Sequence, residues 1–136
     1  MDSMNDYKSA VEFYEMANRI SPSNPEAKYY LGLMKYKMDD YGNAIFEYDQ
    51  AIASDTESVE LYYARGNAKF ELKDFYSAIE DYNMALVLDS TDKEIYFNRG
   101  LAKYYNNEIK PACKDLELAK KFGDMDAEAV LKEICR

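Results

Sequence analysis

Alanine occupies positions 10, 44, 78 and 112, and again 17, 51, 85 and 119, each step being 34 residues. Tyr14, Tyr48 and Tyr82 keep the same step, with Leu116 in the fourth place. So do Gly32, Gly66 and Gly100, and so do Asp6, Asp40 and Asp74, with Glu108 fourth. Tyr7, Tyr41, Phe75 and Ile109 follow one residue later. This many registers at one period mean that a single supersecondary unit is written several times. Such a unit cannot cover its own apolar face, and stacking its copies supplies the core that one copy lacks.

Inside the unit the spacing is helical. Over residues 75–88, Phe75, Ala78, Ile79, Tyr82, Ala85 and Leu86 recur at steps of three and four, the signature of an amphipathic helix. A second helix runs over 59–72. The polar break between them ends in Asp74, a residue type that caps helix N-termini. Asn24 before Pro25 reads as a cap followed by proline at the first helical position. Each unit is thus a helix, a tight turn and an antiparallel helix. The mid-helix glycines are costly unless a neighbour comes close. The expected neighbours are Ala44, Ala78 and Ala112, with Tyr48, Tyr82 and Leu116 filling the wider end. Arg65 and Arg99 stand just before two of the glycines and need carboxylate partners. Glu47 or Asp81 is expected for Arg65, and Asp81 or Asp115 for Arg99.

The segments LGLMKY (31–36), RGNAKF (65–70) and RGLAKY (99–104) carry a small–Gly–aromatic pattern. The first two are followed by an Ala–aromatic–Ala stretch, as in SAIEDYNMALVLDS over 77–90, and the third by Ala112, Leu116 and Ala119. Together they resemble the tetratricopeptide repeat family over nearly the whole chain. Lys28 departs from the family's bulky residue, which is Tyr62 and Tyr96 in the later repeats. The terminal Pro survives only at Pro22. The resemblance implies an all-α fold, a right-handed α-solenoid of antiparallel helix pairs. Residues 1–136 then form one domain. It comprises a lone second helix over 6–20, repeats over 25–58, 59–92 and 93–124, and a capping helix over 125–135.

Composition narrows the function. The net charge is −9, with 26 acidic against 17 basic residues, which speaks against nucleic acid and anionic membranes. The longest apolar run is MALVL, residues 84–88, far short of the roughly 20 residues that span a bilayer. The start, MDSMND, lacks the apolar core of a signal peptide. A cytoplasmic location is the expectation, or an extracytoplasmic one if a targeting segment has been removed. The chain has no histidine, so Ser–His and Cys–His nucleophile systems are absent. It has no phosphate-binding glycine loop. The reading is a non-enzymatic protein without a cofactor or metal.

The resemblance further implies a concave face lined by the first helices. Its residues would be Tyr29, Tyr30, Leu33 and Tyr36; then Tyr63, Ala64, Asn67 and Phe70; then Phe97, Asn98, Leu101 and Tyr104, with Tyr105 beside them. Glu26, Glu60 and Glu94 form a carboxylate ladder at its entrance. The function that follows is a protein–protein interaction module or adaptor. It holds a peptide or protein segment, basic or apolar in character, in an aromatic and mildly acidic groove. Some family members grip an acidic chaperone tail with two Asn and several basic residues. Asn67 and Asn98 match the Asn positions, but Tyr63 and Glu128 stand at basic ones and only Lys132 fits, so no tight binding of such a tail is expected. The alternative is self-association, as a symmetric homodimer, through Val11, Tyr14, Ala17 and Ile20 on the lone first helix. A third reading is a piece of a larger scaffold that covers this helix. Cys113 and Cys135 fit no zinc spacing. They read as two small thiols in a reducing compartment, or as a bridge in an oxidising one.

Overall fold

A computed structural model describes residues 3–135; Met1, Asp2 and Arg136 lie outside the described residues. Among the described residues there are eight helices and no strand: α1 (Ser3–Ile20), α2 (Pro25–Lys37), α3 (Tyr41–Ser54), α4 (Val59–Glu71), α5 (Phe75–Leu88), α6 (Lys93–Tyr105), α7 (Ile109–Lys121) and α8 (Ala127–Ile134). Each helix packs on the one before and the one after, and α4 also meets α2 and α6. The pairs α2/α3, α4/α5 and α6/α7 therefore stack in a row as an α-solenoid, with the first helices side by side along one face.

Local chemistry repeats with the period. Asn24, Ser58 and Asp92 cap α2, α4 and α6. Asp74 caps α5 by accepting from Ser77 N, as expected. The turns inside the three pairs place Asp39, Lys73 and Asn107 at φ of 60°, 65° and 65°. This is the left-handed region, and glycine would be the easier occupant. Lys28 finds its explanation here. Tyr62 and Tyr96 donate to the carbonyls of Thr56 and Ser90, at 3.1 and 2.7 Å. The Lys28 ammonium reaches the equivalent carbonyl, that of Pro22, and also Asn18. A cation on a long stem thus does the work of a phenol.

The glycine expectation is corrected in its partner. A Cβ on Gly32 would collide with the Tyr48 ring, and one on Gly66 would meet Tyr82 Cε1 at 2.8 Å. Only at Gly100 does an alanine contribute, through the Ala112 carbonyl at 3.2 Å, beside Leu116 at 3.1 Å. The glycines admit rings rather than alanines. Tyr48, Tyr82 and Leu116 lie over them, fully buried.

Arg65 makes a bidentate pair with Asp81, at 2.9 and 2.8 Å, and its third nitrogen reaches Asp49 at 2.9 Å. Arg99 repeats this with Asp115, at 2.8 and 2.7 Å, and with Asn83 at 2.8 Å. Lys69 and Lys103 join the same two aspartates at 3.0 and 2.9 Å. Each arginine thus ties its own pair to the second helix of the pair before. Of the expected partners, Asp81 and Asp115 are taken. Glu47 instead pairs with Lys35 at 3.3 Å, within the first pair, where Leu31 replaces arginine.

The two ends differ. At the C-terminal end α8 buries Ala127 and Leu131 and turns Glu128, Lys132 and Glu133 outward, a polar cap. A disulfide joins Cys113 to Cys135, with Cα atoms 5.9 Å apart, so the free-thiol reading gives way to the bridge. The cap runs back along α7 and brings both sulfurs to one height. At the N-terminal end α1 starts at Ser3, earlier than the expected residue 6. It covers Tyr14 by stacking it on Tyr30, with centroids 5.2 Å apart.

Candidate functional site

The residues expected to line the concave face are neither fully buried nor freely exposed. Tyr29, Leu33 and Tyr36 on α2, Tyr63, Asn67 and Phe70 on α4, and Phe97, Asn98, Leu101 and Tyr104 on α6 are all half-buried. Ala64 is buried, and Tyr105 is exposed. Half-burial leaves ring faces for a ligand while the ring bodies are held by packing.

A pocket of about 160 Å³ opens between α2 and α4. Tyr29, Leu33, Tyr36, Tyr63, Ala64 and Asn67 form its walls, the fully buried Tyr48 contributes its base, and exposed Glu60 stands at its edge. Five of the predicted groove residues therefore converge with Ala64. Tyr30 does not join them, because it is drawn to Tyr14 on α1. Phe97, Leu101 and Tyr104 lie outside this pocket. Phe70 belongs to a second aromatic group at the turn end, with Phe75 at 5.2 Å and Tyr105 at 6.0 Å. Tyr48 is not among the residues expected in the groove; the register it shares with Tyr14 and Tyr82 is the available signal.

Polar order in the groove is concentrated in the second repeat. Tyr82 donates to Asn67 Oδ1 at 2.6 Å, and Asn98 Nδ2 donates to the same oxygen at 3.2 Å and to Tyr63 Oη at 2.8 Å. The two asparagines are thus partly committed to the protein itself. Asn67 also makes a side-chain hydrogen bond with the Tyr63 phenol. Burial pushes the Tyr63 phenol up to about 12, with Glu94 and Asp92 adding to the rise and the Asn67 contact opposing it. Tyr36 is also raised to about 12, by burial and then by Glu71, whose carboxylate its hydroxyl faces at 3.5 Å. Tyr29 is raised by burial and then by Glu60. Neighbouring carboxylates thus add to burial in keeping these phenols neutral.

At the positions compared with a chaperone-tail clamp above, Tyr63 accepts from Asn98. Lys132 lies 3.9 Å from Glu128, which is also 3.8 Å from Lys120. On α1, Val11 and Tyr14 are half-buried, whereas Phe13, Met16 and Ile20 are 65%, 55% and 80% exposed. Of the residues expected to self-associate, only Ile20 is thus on the open face. Phe13 and Met16 stand there in place of Val11, Tyr14 and Ala17, which are half-buried on the side of α1 that packs against α2. No described helix is long and apolar enough to cross a membrane.

Residues 66–107 match a family model described as the TPR repeat. No curated protein matches the chain in sequence. Among solved structures, a crystal structure of MamA superposes with a TM-score of 0.84 at 24% identity, covering 90% of this chain and 75% of that one. The first TPR of Spaghetti (RPAP3), bound to the HSP90 peptide SRMEEVD, gives 0.79 at 26% identity, covering 82% and 90%. The Arabidopsis OM64 TPR domain gives 0.79 at 25% identity, covering 82% and 93%. Residues 66–107 thus match a TPR repeat, and the whole chain shares the α-solenoid fold of tetratricopeptide repeat structures, a protein–protein interaction fold, along an unbroken 34-residue register.

Proposed function

We propose that the concave face between α2, α4 and α6 binds an extended segment of a partner protein, apolar or basic in character, and that the chain works as a non-catalytic adaptor without a cofactor. The observation that carries this reading is the pocket walled by Tyr29, Tyr36 and Tyr63 with Glu60 at its edge. Aromatic faces supply contact area at low entropic cost. The carboxylates set the sign of the partner. The RPAP3 domain holds the acidic peptide SRMEEVD; here Tyr63 and Glu128 stand at basic clamp positions, and Lys132 is already beside Glu128.

Selection of displayed random 12-residue peptides on the folded chain tests this. Enriched peptides should be basic or apolar, and the double variant Tyr29→Ala/Tyr63→Ala should bind them at least tenfold more weakly. Tighter binding of SRMEEVD than of any selected peptide would overturn it.

A second reading is favoured by Phe13, Met16 and Ile20, exposed together on α1. A patch of this kind is usually covered, either by a second copy of the chain or by further parts of a larger scaffold. Mass by light scattering across a concentration series separates the dimer from the monomer. As to compartment, the Cys113–Cys135 bridge suits an oxidising setting better than the cytoplasm.

A further inference from the structure

Two tyrosines at the same register meet different fates. Tyr82 finds Asn67 at 2.6 Å. Tyr48, 34 residues earlier, is just as buried, at 0% exposed. Its hydroxyl is the one buried side-chain polar atom among the described residues without a hydrogen-bond partner. The cause is legible in the sequence, since Leu33 occupies in the first repeat the position that Asn67 occupies in the second. Buried hydroxyls are normally paired, and an orphan calls for an explanation. The Tyr48 ring cannot simply swing away, because it is packed over Gly32. Tyr48 and the exposed Glu60 are both among the residues that line the pocket of about 160 Å³.

We propose that this pocket is a specificity site for a carboxamide side chain, a glutamine or asparagine of the bound segment, which gives Tyr48 the partner that Asn67 gives Tyr82. The proposal rests on the groove reading. The carboxamide oxygen accepts from the Tyr48 hydroxyl at the base, and its NH₂ donates to the Glu60 carboxylate at the edge. A carboxamide carries its acceptor and its donor on separate atoms, whereas a Ser or Thr hydroxyl must do both from one; neutral histidine is the other side chain that can, and it belongs among the exchanges of the test. A carboxylate would face Glu60 with like charge. An ammonium has no acceptor, and the Tyr48 proton would stay unpaired. Burial raises the Tyr48 phenol well above its ordinary value, so it remains a donor.

The test uses a peptide selected on the wild-type chain and measured by fluorescence anisotropy, with each position exchanged in turn. Gln or Asn should recur at one position, and replacing it by Glu, Met or His should weaken binding threefold to tenfold, the scale of one hydrogen bond. Tyr48→Phe keeps the ring over Gly32 and should flatten that preference. Leu33→Asn copies the second repeat, giving Tyr48 an internal partner. It should abolish the preference and raise the melting temperature. An amide preference that persists unchanged in Tyr48→Phe overturns the proposal. So does wild-type binding that is lost with Tyr29→Ala but shows no amide preference; the groove then stands without this subsite. Peptide binding that survives Tyr29→Ala/Tyr63→Ala overturns the groove reading and this proposal with it.

Discussion

The first and second repeats fold alike but distribute their polar residues differently. In the second, Arg65 gathers Asp81 and Asp49, Lys69 joins Asp81, and Asn67 receives Tyr82 and Asn98. In the first, Leu31 and Leu33 occupy the places of Arg65 and Asn67. What remains there is a Lys35–Glu47 pair and an unpartnered Tyr48 hydroxyl. The second repeat is internally satisfied. The first leaves a polar atom and a pocket for something else. On the proposed reading, binding draws on the partner that the first repeat has dropped, in a pocket that both repeats wall, and stability on the partners that the second has kept.

The largest break in this comparison should come from Arg65→Leu, which gives the second repeat the residue of the first. Asp81 would be left buried with Lys69 alone, and urea unfolding should show a loss of about 3 kcal/mol, as for a broken buried pair. Lys35→Met, which leaves the buried Glu47 without its one cationic partner, should cost less, about 2 kcal/mol, since a single charged hydrogen bond is lost. Next comes Gly32→Ala. The added Cβ meets the Tyr48 ring, and overpacking of about 1–3 kcal/mol outweighs the gain in helix propensity of at most about 1 kcal/mol. A melt no lower than wild type would show that the ring has room to move.

A smaller and sharper contrast lies in the two tyrosines. Tyr82→Phe should lose about 1 kcal/mol, the worth of a hydrogen bond. Tyr48→Phe should lose nothing and gain slightly, since an orphan hydroxyl leaves the core. Equal losses would mean that Tyr48 is paired in solution. The smallest effect concerns pH. Tyr36 and Tyr63 stand at about 12 in the fold against an ordinary 10. Between these values the folded state keeps protons that the unfolded state releases. Stability is intact below pH 10 and falls as pH rises toward 12. Denaturant midpoints across pH 9–11, read beside tyrosinate absorbance, check the sign.

Much of this was readable from the period alone. The helix pairs follow from residues repeating at 34, the caps at Asn24 and Asp74 from their residue types, and the partners of Arg65 and Arg99 narrow to two carboxylates each, of which Asp81 and Asp115 are taken. The contact partners of the glycines did not follow. Whether a ring or an alanine lies over Gly32 depends on the rotation of α3, which spacing does not specify. The Asp49 contact crosses between repeats, where side-chain reach decides the pairing. The exposed face of α1 was misplaced from Val11 and Tyr14 to Phe13 and Met16 because α2 already covers half of the apolar stripe. The Tyr48 pocket was hidden for a different reason. It is defined by a missing partner, and only the comparison of Leu33 with Asn67 reveals it.

The most direct test of where a partner sits is amide chemical-shift mapping of the ¹⁵N-labelled chain with a selected peptide. The groove reading predicts that the largest shifts fall on α2 and α4, around Tyr29, Leu33, Tyr63 and Asn67. Shifts confined to α1, around Phe13, Met16 and Ile20, would contradict it and move the binding site to the open end of the stack.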